Sequence, residues 1–291
     1  MDTITHTLFG LTLYGAVDKS GMSKHEKQAL LFTTVAGSQI PDIDVISAWW
    51  DSAGRYQMWH RGLTHSIWLV PVWAALLAGL ARLLWRTKGW SLFFIALLAV
   101  FIHDTSDLFN AWGTGYFEPF SPMRITFGTV PIVDLVFWAV MLLGFVTVRW
   151  GGRLKRIPSH RLYRLVWMVM ALHVLIQSVQ GYTLYRQAAP LYDEVALSAD
   201  FVPGVFTVIG KKGDKVDLSR GTVWTGLRQQ MQLVSREDTN LDRLFEQNPK
   251  AKTLYEWSPF VVIVDDEKRI GLYDPRFYRN GQSFLFEFIE K

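Results

Sequence analysis

Residues 60–85 read HRGLTHSIWLVPVWAALLAGLARLLW, and this stretch joins a polar motif to a long apolar run. His60 and His65 stand five positions apart in the motif, with a glycine and a threonine between them. Neutral imidazole is the commonest nitrogen ligand for zinc and related ions. The run of 19 residues from 67 to 85 is long and apolar enough to predict a membrane-spanning helix.

Other apolar segments lie on both sides of this stretch. They are the segments 3–17, 26–40, 90–102, 130–148 and 162–181. Segments 130–148 and 162–181 predict further spans, and 90–102 is a second strong apolar run. The segments 3–17 and 26–40 predict short helices, because a free span needs about 20 residues. The sequence therefore predicts a mainly α-helical fold in which residues 1–181 form a polytopic transmembrane helix bundle.

The composition changes after residue 181. Short apolar runs with strand-like alternation follow, and the Gly-Lys-Lys-Gly-Asp segment at 210–214 predicts a hairpin turn between two of them. Residues 238–255 have the pattern of a helix. We therefore expect a small soluble α+β domain at 182–291, after a membrane domain at 1–181 that carries the metal-site motifs.

The overall composition limits the chemistry. Half of the 291 residues (50%) are hydrophobic and the mean hydropathy is +0.14. The chain has no cysteine, which excludes disulfides, thiolate ligands and cysteine nucleophiles, so any metal must be held by nitrogen and oxygen donors. The net charge of +4 is typical of basic cytoplasmic loops in a membrane protein. The expected partner is therefore the lipid bilayer and not nucleic acid.

Basic residues are distributed unevenly among the connections. Segments 18–27, 82–88 and 149–164 hold 12 lysines and arginines, whereas the other connections before residue 182 hold three. Cytoplasmic loops are enriched in such residues, so the first group is predicted to face the cytoplasm. The candidate ligands and the 182–291 domain then fall on the extracytoplasmic side of a multi-pass protein in the cell membrane.

Imidazoles and carboxylates stand at the ends of the apolar segments on that outer side. His103 and Asp107 are four positions apart, so a helix would place both on one face. Asp42 and Asp44 follow Pro41, and paired carboxylates suit a divalent cation. If these groups meet at one end of the bundle, the predicted metal ligands are His6, Asp42, His60, His65, His103 and Asp107.

Simpler structural roles fit several of the same residues. His60 and His65 also fit as interfacial histidines bonded to backbone carbonyls, and Asp44 fits as a solvated residue in a helix-terminating turn. For His173, which lies inside an apolar segment, we predict a hydrogen bond to Gln177 one turn later.

Two carboxylates are candidates for a catalytic role. Asp44 or Asp104 could take a proton from an activated water molecule or orient a ligand histidine. Arg61 and Arg124 lie on the same side of the predicted membrane. They either bind an anionic substrate such as a phosphate or pair with the site carboxylates.

Taken together, these motifs resemble the membrane-bound, metal-dependent hydrolase family of the YdjM type, which are inner-membrane proteins of bacteria. The matching pieces are Asp2-x-x-x-His6, Pro41-Asp-x-Asp44, His60-Arg-Gly-x-Thr-His65-Ser66, His103-x-x-x-Asp107, Trp112-Gly113-Thr114 and Pro119-Phe120-Ser121. The resemblance covers residues 1–150 and its combination of motifs is specific. It implies an α-helical membrane domain and a divalent metal, with a more distant likeness to zinc-dependent phospholipase C.

Two functions are compatible with such ligands. In the first, the protein is a hydrolase in which Zn²⁺, or alternatively Mn²⁺, activates water against an ester or phosphoester of a membrane-associated substrate such as a phospholipid. In the second, the protein is not an enzyme, the metal is structural or sensory with a closed coordination shell, and the C-terminal domain binds a partner. Metal transport ranks last, because the predicted spans are mostly apolar away from one end.

Overall fold

The computed structural model describes residues 1–150, 157–279 and 281–291, which form two compact units. The first unit comprises Met1–Ile43, Arg61–Thr126 and Val130–Ile176. The second comprises Asp44–His60, Phe127–Thr129 and Gln177–Lys291. The predicted division into domains at 1–181 and 182–291 stays a prediction, because compact units need not fold independently.

Helices predominate in the first unit, and strands occur after residue 193. The helices are α1 (Thr3–Ala16), α2 (Lys24–Gly37), α3 (Tyr56–Trp59), α4 (Val70–Trp85), α5 (Ser91–Asp107), α6 (Leu135–Trp150), α7 (Ser159–Ala188), α8 (Asp242–Gln247) and α9 (Pro249–Trp257). Short 3₁₀ helices cover Ile40–Trp49, Leu63–His65, Ala189–Leu191 and Pro275–Phe277. The strands are β1 (Glu194–Ala199), β2 (Phe206–Lys212), β3 (Lys215–Thr222), β4 (Gly226–Val234), β5 (Val262–Asp265), β6 (Arg269–Tyr273), β7 (Tyr278–Arg279), β8 (Gln282–Ser283) and β9 (Phe286–Glu290).

Side-chain caps determine where several helices begin. The Asp2 carboxylate accepts hydrogen bonds from two backbone N–H groups in the first turn of α1. Ser23 and Glu26 form a reciprocal capping box at the start of α2. The Asp134 carboxylate accepts from the N–H groups of Val136 and Phe137 at 2.8 and 3.1 Å, so α6 begins only after this residue.

The core of the first unit consists of small residues on one side and large ones on the other. Helices α2, α4 and α5 pack together through buried alanines, namely Ala29, Ala74, Ala78, Ala81, Ala96 and Ala99. A second cluster joins α1, α6 and α7 through Phe9, Phe137, Met141, Val166 and Met170. The close approach of the alanine-lined helices holds the ends of α2 and α5 next to each other, and this is where the candidate ligands lie.

Gly37 allows this close approach at the end of α2. A Cβ atom added there would lie 2.8 Å from the Cβ of Ala99 on α5. We expect Gly37→Ala to lower the free energy of unfolding by about 1–3 kcal/mol, because the added methyl forces the two helices apart. Thermal unfolding measures this, and Ala99→Gly in the same chain should restore part of the loss.

Gly79 in α4 is the matched control for that substitution. A Cβ atom at Gly79 meets no atom of the described residues within 4 Å. Gly79→Ala should therefore stabilise the protein by about 0.5–1 kcal/mol, since alanine costs less backbone entropy than glycine in a helix. If both substitutions stabilise, the close packing of α2 on α5 is wrong.

The second unit contains three antiparallel sheets. Strands β1, β2, β3 and β4 form a meander in sequence order, with the turn predicted at 210–214 between β2 and β3. Strands β5, β6 and β9 form the second sheet, and β7 pairs with β8. Buried residues such as Phe206, Ile209 and Val262 form the core under these sheets. The strand and helix patterns predicted after residue 181 are confirmed at this level.

The prediction of a polytopic transmembrane helix bundle is wrong. Among the described residues, one helical stretch, Ser159–Leu191, is long and apolar enough to cross a membrane. A second is added only if Tyr56–His65 and Val70–Trp85, a bent pair of helices, form a single span. The chain is therefore an α+β protein with one or two candidate spans.

Three of the helices in the apolar segments are too short to cross the hydrocarbon core of a bilayer. Helices α4, α5 and α6 have 16, 17 and 16 residues. At 1.5 Å per residue they rise about 24–26 Å, less than the ~30 Å of a bilayer core. The last turns of α5 carry the buried polar residues His103, Asp104 and Asp107, and Asp134 delays the start of α6.

Candidate metal centre

Four side chains of the first unit bring their donor atoms together. They are Asp42, His65, His103 and Asp107, and one ligand atom of each lies within 4.8 Å of the others. Nε2 of His65 is 3.1 Å from Nε2 of His103 and 3.3 Å from Oδ1 of Asp42. It is also 3.6 Å from Oδ2 of Asp107. Donors about 2.0–2.2 Å from a tetrahedral zinc ion stand about 3.3–3.6 Å apart, so this group has the size of a metal shell.

Three separate backbone segments carry these four donors. His103 and Asp107 lie one turn apart on the last part of α5. Asp42 belongs to the 3₁₀ helix Ile40–Trp49 that follows α2, and His65 ends the 3₁₀ helix Leu63–His65 that precedes α4. The close contact of α2 with α5 therefore brings Asp42 to His103. His65, His103 and Asp107 are fully buried, whereas the Asp42 side chain is 18% exposed.

Both histidines are fixed through their other ring nitrogen. Nδ1 of His103 lies 2.8 Å from the Ser38 carbonyl oxygen. A carbonyl only accepts, so Nδ1 carries the proton and Nε2 of the neutral ring offers its lone pair to the centre. Nδ1 of His65 lies 3.1 Å from the Thr64 hydroxyl, which leaves its Nε2 directed at the other donors. Such partners are typical of metal-ligating histidines.

Thr64→Val should weaken metal binding without removing a ligand. The valine keeps the shape of the side chain but cannot hold Nδ1 of His65, so we expect the dissociation constant to rise by about 10–100-fold. Competition with a chelator measures the dissociation constant of the metal. Thr183→Val is the control, because the exposed Thr183 hydroxyl donates to the Val179 carbonyl in its own helix. Equal affinities for both variants would contradict an orienting role for Thr64.

His6 and Asp104 add buried polar atoms beside the four donors. The His6 ring stacks on His103 with centroids 3.7 Å apart, and its Nε2 lies 3.4 Å from Oδ1 of Asp107. Within the part of the chain that the structure describes, neither ring nitrogen of His6 and neither carboxyl oxygen of Asp104 has a hydrogen-bond partner. Burying such atoms is costly unless they bind something, so the residues present fit a divalent metal ion.

Arg61 stabilises the Asp107 carboxylate. Its Nε lies 3.1 Å from Oδ2 of Asp107, and its other nitrogens donate to Oδ1 of Asn110 at 2.7 Å and the Met1 carbonyl at 2.9 Å. The Met1 amino group also contacts Asp107. Of the two roles left open for Arg61, pairing with a site carboxylate is observed. Arg61 has φ of +59°, a left-handed conformation that costs a non-glycine residue energy and that its buried contacts maintain.

The surroundings shift the pKa values of the ionisable groups in different directions. Burial holds the pKa of His6 well below its ordinary value, and protonation of His103 would lower it further. Burial raises the pKa of Asp42, but His103 and His65 donate to this carboxyl whenever their Nε2 is protonated, and this outweighs burial, so the pKa of Asp42 is lowered. Burial, and then the Asp42 charge, raise the pKa of Asp104 well above its ordinary value. Protein charges thus favour an anionic Asp42 beside a neutral His6.

Comparison with known proteins links this centre to one family. The family described as YdjM inner membrane protein matches residues 1–184, which include every donor above. The chain belongs to the YdjM inner membrane protein family. The resemblance to this family is therefore confirmed, whereas the likeness to zinc-dependent phospholipase C is not shown and stays a hypothesis.

One relative of this YdjM-family chain is the uncharacterized protein YfhP of Bacillus subtilis (strain 168). The two are 32% identical over 200 residues, which make up 67% of this chain and 59% of that protein. The chain thus matches less than two thirds of the relative's length. No solved structure matches the chain significantly.

Two of the predicted site residues belong to the second unit. Nδ1 of His60 lies 3.0 Å from Oδ1 of Asp44, and the Tyr56 ring stacks on His60 with centroids 5.0 Å apart. Their roles as metal ligand and catalytic carboxylate stay predictions. His6, Asp42, His65, His103 and Asp107 are the predicted ligands that the first unit brings together.

One predicted hydrogen bond differs in the structure, and two residues that support the site were not predicted. The predicted bond from His173 to Gln177 is wrong: Nε2 of His173 lies 2.9 Å from Oδ2 of Asp134, and Gln177 accepts from the Gly204 N–H. Asp134 lies 39 positions from His173 in the sequence, so no local pattern indicated this pair. Ser38 and Asn110 were missed, because one acts through its backbone and the other through Arg61.

Proposed function

We propose that this YdjM-family protein is a metal-dependent hydrolase that cleaves an ester or phosphoester of a membrane-associated substrate. The observation that carries the proposal is the convergence of two imidazoles and two carboxylates at metal-shell distances. Imidazole and carboxylate donors suit Zn²⁺ first and Mn²⁺ second. Such an ion supplies Lewis acidity, which lowers the pKa of a water molecule and polarises an ester or phosphoryl oxygen.

The chain's own residues then have distinct tasks. His65 and His103 would hold the ion through Nε2, while Thr64 and Ser38 keep each ring in orientation. Asp42 is the partly exposed donor, so a substrate would approach from its side. The buried carboxyl group of Asp104, next to His103 in the chain, is our candidate for moving a proton during the reaction.

The proposal also includes contact with lipid. Met168 and Leu172 on α7 are 61% and 54% exposed, as expected of a helix that faces hydrocarbon. Arg161 and Arg164 at the start of α7 would mark its cytoplasmic end. We propose that the residues after α7 and the metal centre lie on the extracytoplasmic side of the inner membrane.

A second function has an observation in its favour. Four protein donors are enough to complete a tetrahedral shell, and three of them are fully buried. Closed shells of this kind are typical of structural zinc sites. In this alternative the metal is structural or sensory, and the C-terminal region binds a partner.

Hydrolysis by the purified protein distinguishes the two functions. In detergent with Zn²⁺ or Mn²⁺, the protein should hydrolyse a chromogenic phosphodiester or a carboxylic ester, and EDTA should remove the activity. Readdition of the metal should restore it. A protein that binds one equivalent of metal but cleaves neither ester class would contradict the hydrolase and favour the second function.

Asp104→Asn tests the carboxyl group proposed to move a proton. The amide has the same shape but cannot exchange a proton, so kcat should fall by about 10²–10⁴-fold while the metal content stays unchanged. Asp18→Asn is the control, because Asp18 lies on the surface away from the centre. A kcat that is unchanged in Asp104→Asn would exclude this carboxyl group from proton transfer.

A further inference from the structure

A cavity of about 180 Å³ lies among α1, α5, α6 and α7 in the first unit. Its apolar walls include Phe9, Ile102, Phe109, Phe137, Trp167 and Met170. The metal chemistry described above does not use this space.

The two hydroxyl groups in the wall are already bonded. Ser106 donates to the His103 carbonyl at 2.9 Å, and the Thr105 hydroxyl lies 3.2 Å from the Tyr116 hydroxyl. Water enters a cavity only where it finds two to four polar partners, and an engineered apolar cavity of about 150 Å³ stays dry and binds benzene. The cavity therefore suits an apolar occupant with on the order of six carbon atoms.

The position of the opening indicates which apolar molecule is available. Among the lining residues, Phe101 on α5 and Ala171 on α7 are exposed, so the cavity opens between these helices. Met168 and Leu172 on α7 continue the exposed apolar surface beside this opening. Helix α7 is long and apolar enough to cross a membrane, and the family is one of inner membrane proteins. Hydrocarbon chains of lipids are the abundant apolar molecules around such a surface.

The cavity and the metal centre share parts of their walls. Met1 lines the cavity, while its carbonyl accepts from Arg61 and its amino group contacts Asp107. Thr105 and Ser106 line the cavity from positions between His103 and Asp107 on α5. An amphipathic molecule with its chain in the cavity would therefore have its polar end near the ligands.

We infer that this cavity binds the hydrocarbon chain of an ester lipid, and that this chain positions the ester for the metal centre. The inference rests on the proposed function and names its substrate class. It predicts that the chain occupies the interior of the first unit and does not merely cover its surface.

Photolabelling tests where the chain lies. A lysophospholipid with a diazirine in the part of its acyl chain next to the ester is added to the full-length protein in detergent with EDTA, so that no hydrolysis takes place. After irradiation, peptide mapping should find label on Phe137 and Met170, which are each 3% exposed. Label confined to exposed residues such as Met168 and Leu172 would overturn the inference, because it would show surface lipid only.

Ala171→Phe and Leu172→Phe form a matched pair on α7. The first places a ring at the opening, and the second places the same ring at an exposed position that does not line the cavity. Label on Phe137 and Met170 should fall at least fivefold in Ala171→Phe and remain in Leu172→Phe. Unchanged metal content in both variants shows that they are folded, and undiminished interior label in such an Ala171→Phe protein would also overturn the inference.

Activity separates this inference from the proposed function. If the wild-type protein hydrolyses a short water-soluble ester as fast as a long-chain one, and Ala171→Phe leaves both rates unchanged, chain binding is wrong and the hydrolase stands. If the interior is labelled but no ester is cleaved, the hydrolase is wrong and chain binding stands.

Discussion

His65→Ala should leave the purified protein without stoichiometric metal. Nε2 of His65 is the atom nearest the other donors, at 3.1 Å from His103 and 3.3 Å from Asp42. Removing it leaves three donors and a gap in a buried site, where the surrounding backbone cannot supply a substitute. The metal content, measured by elemental analysis after dialysis, should fall from about one ion per chain to below about one tenth of an ion per chain. Any metal-dependent activity should disappear with the metal.

His25→Ala is the matched control for His65→Ala. His25 is exposed in the first turn of α2, so its removal takes away an imidazole from the chain but not from the centre. The metal content should stay at the wild-type level. Equal metal content in His65→Ala and His25→Ala would contradict the ligand assignment, whatever the activity of either protein.

Arg61→Ala should destabilise the protein by about 3–5 kcal/mol, the usual cost of removing one partner from a buried ion pair. The guanidinium is buried beside Asp107, and it also satisfies Asn110 and the Met1 carbonyl. Its loss takes this donor from the buried Asp107 carboxylate and from the Met1 carbonyl, while Oδ1 of Asn110 keeps its bond from the Trp112 N–H. Chemical denaturation of the metal-free protein in detergent measures the change in the free energy of unfolding.

Two further substitutions show which property of Arg61 matters. Arg61→Gly also removes the guanidinium, but glycine adopts φ of +59° without penalty, so it should cost about 1 kcal/mol less than alanine. Arg220→Ala breaks an exposed pair with Asp200 and should cost at most about 1 kcal/mol. If Arg61→Ala also lowers the free energy of unfolding by less than about 1 kcal/mol, the buried pair stabilises the protein no more than an exposed pair does.

The sequence predicted the kinds of secondary structure better than their relation to a membrane. Apolar runs such as 130–148 correctly indicated helices, but hydropathy does not show that Asp134 caps α6 and shortens it. Similarly, the apolar run before His103 continues into a polar helix end that is buried within the protein. The strands after residue 181 were predictable because alternation and turn residues are local signals.

The site was predictable in its residue types and less so in its contacts. The spacing of His103 and Asp107 places them together on any helix, so sequence reasoning sufficed there. The position of Asp42 depends on how closely α2 packs against α5. The contact of Arg61 with Asp107 depends on a left-handed backbone conformation at Arg61, which non-glycine residues rarely adopt. Contacts between distant segments of this kind are decided by packing, for which one sequence carries no direct pattern.

The donors at 42, 65, 103 and 107 have one consequence beyond chemistry. An ion held by all of them ties together segments that are far apart along the chain, and it therefore acts as a cross-link that closes long loops. Proteases recognise chains whose loops have opened, so scarcity of the ion should shorten the protein's lifetime in the cell. The amount of this protein would then follow the metal supply of its surroundings.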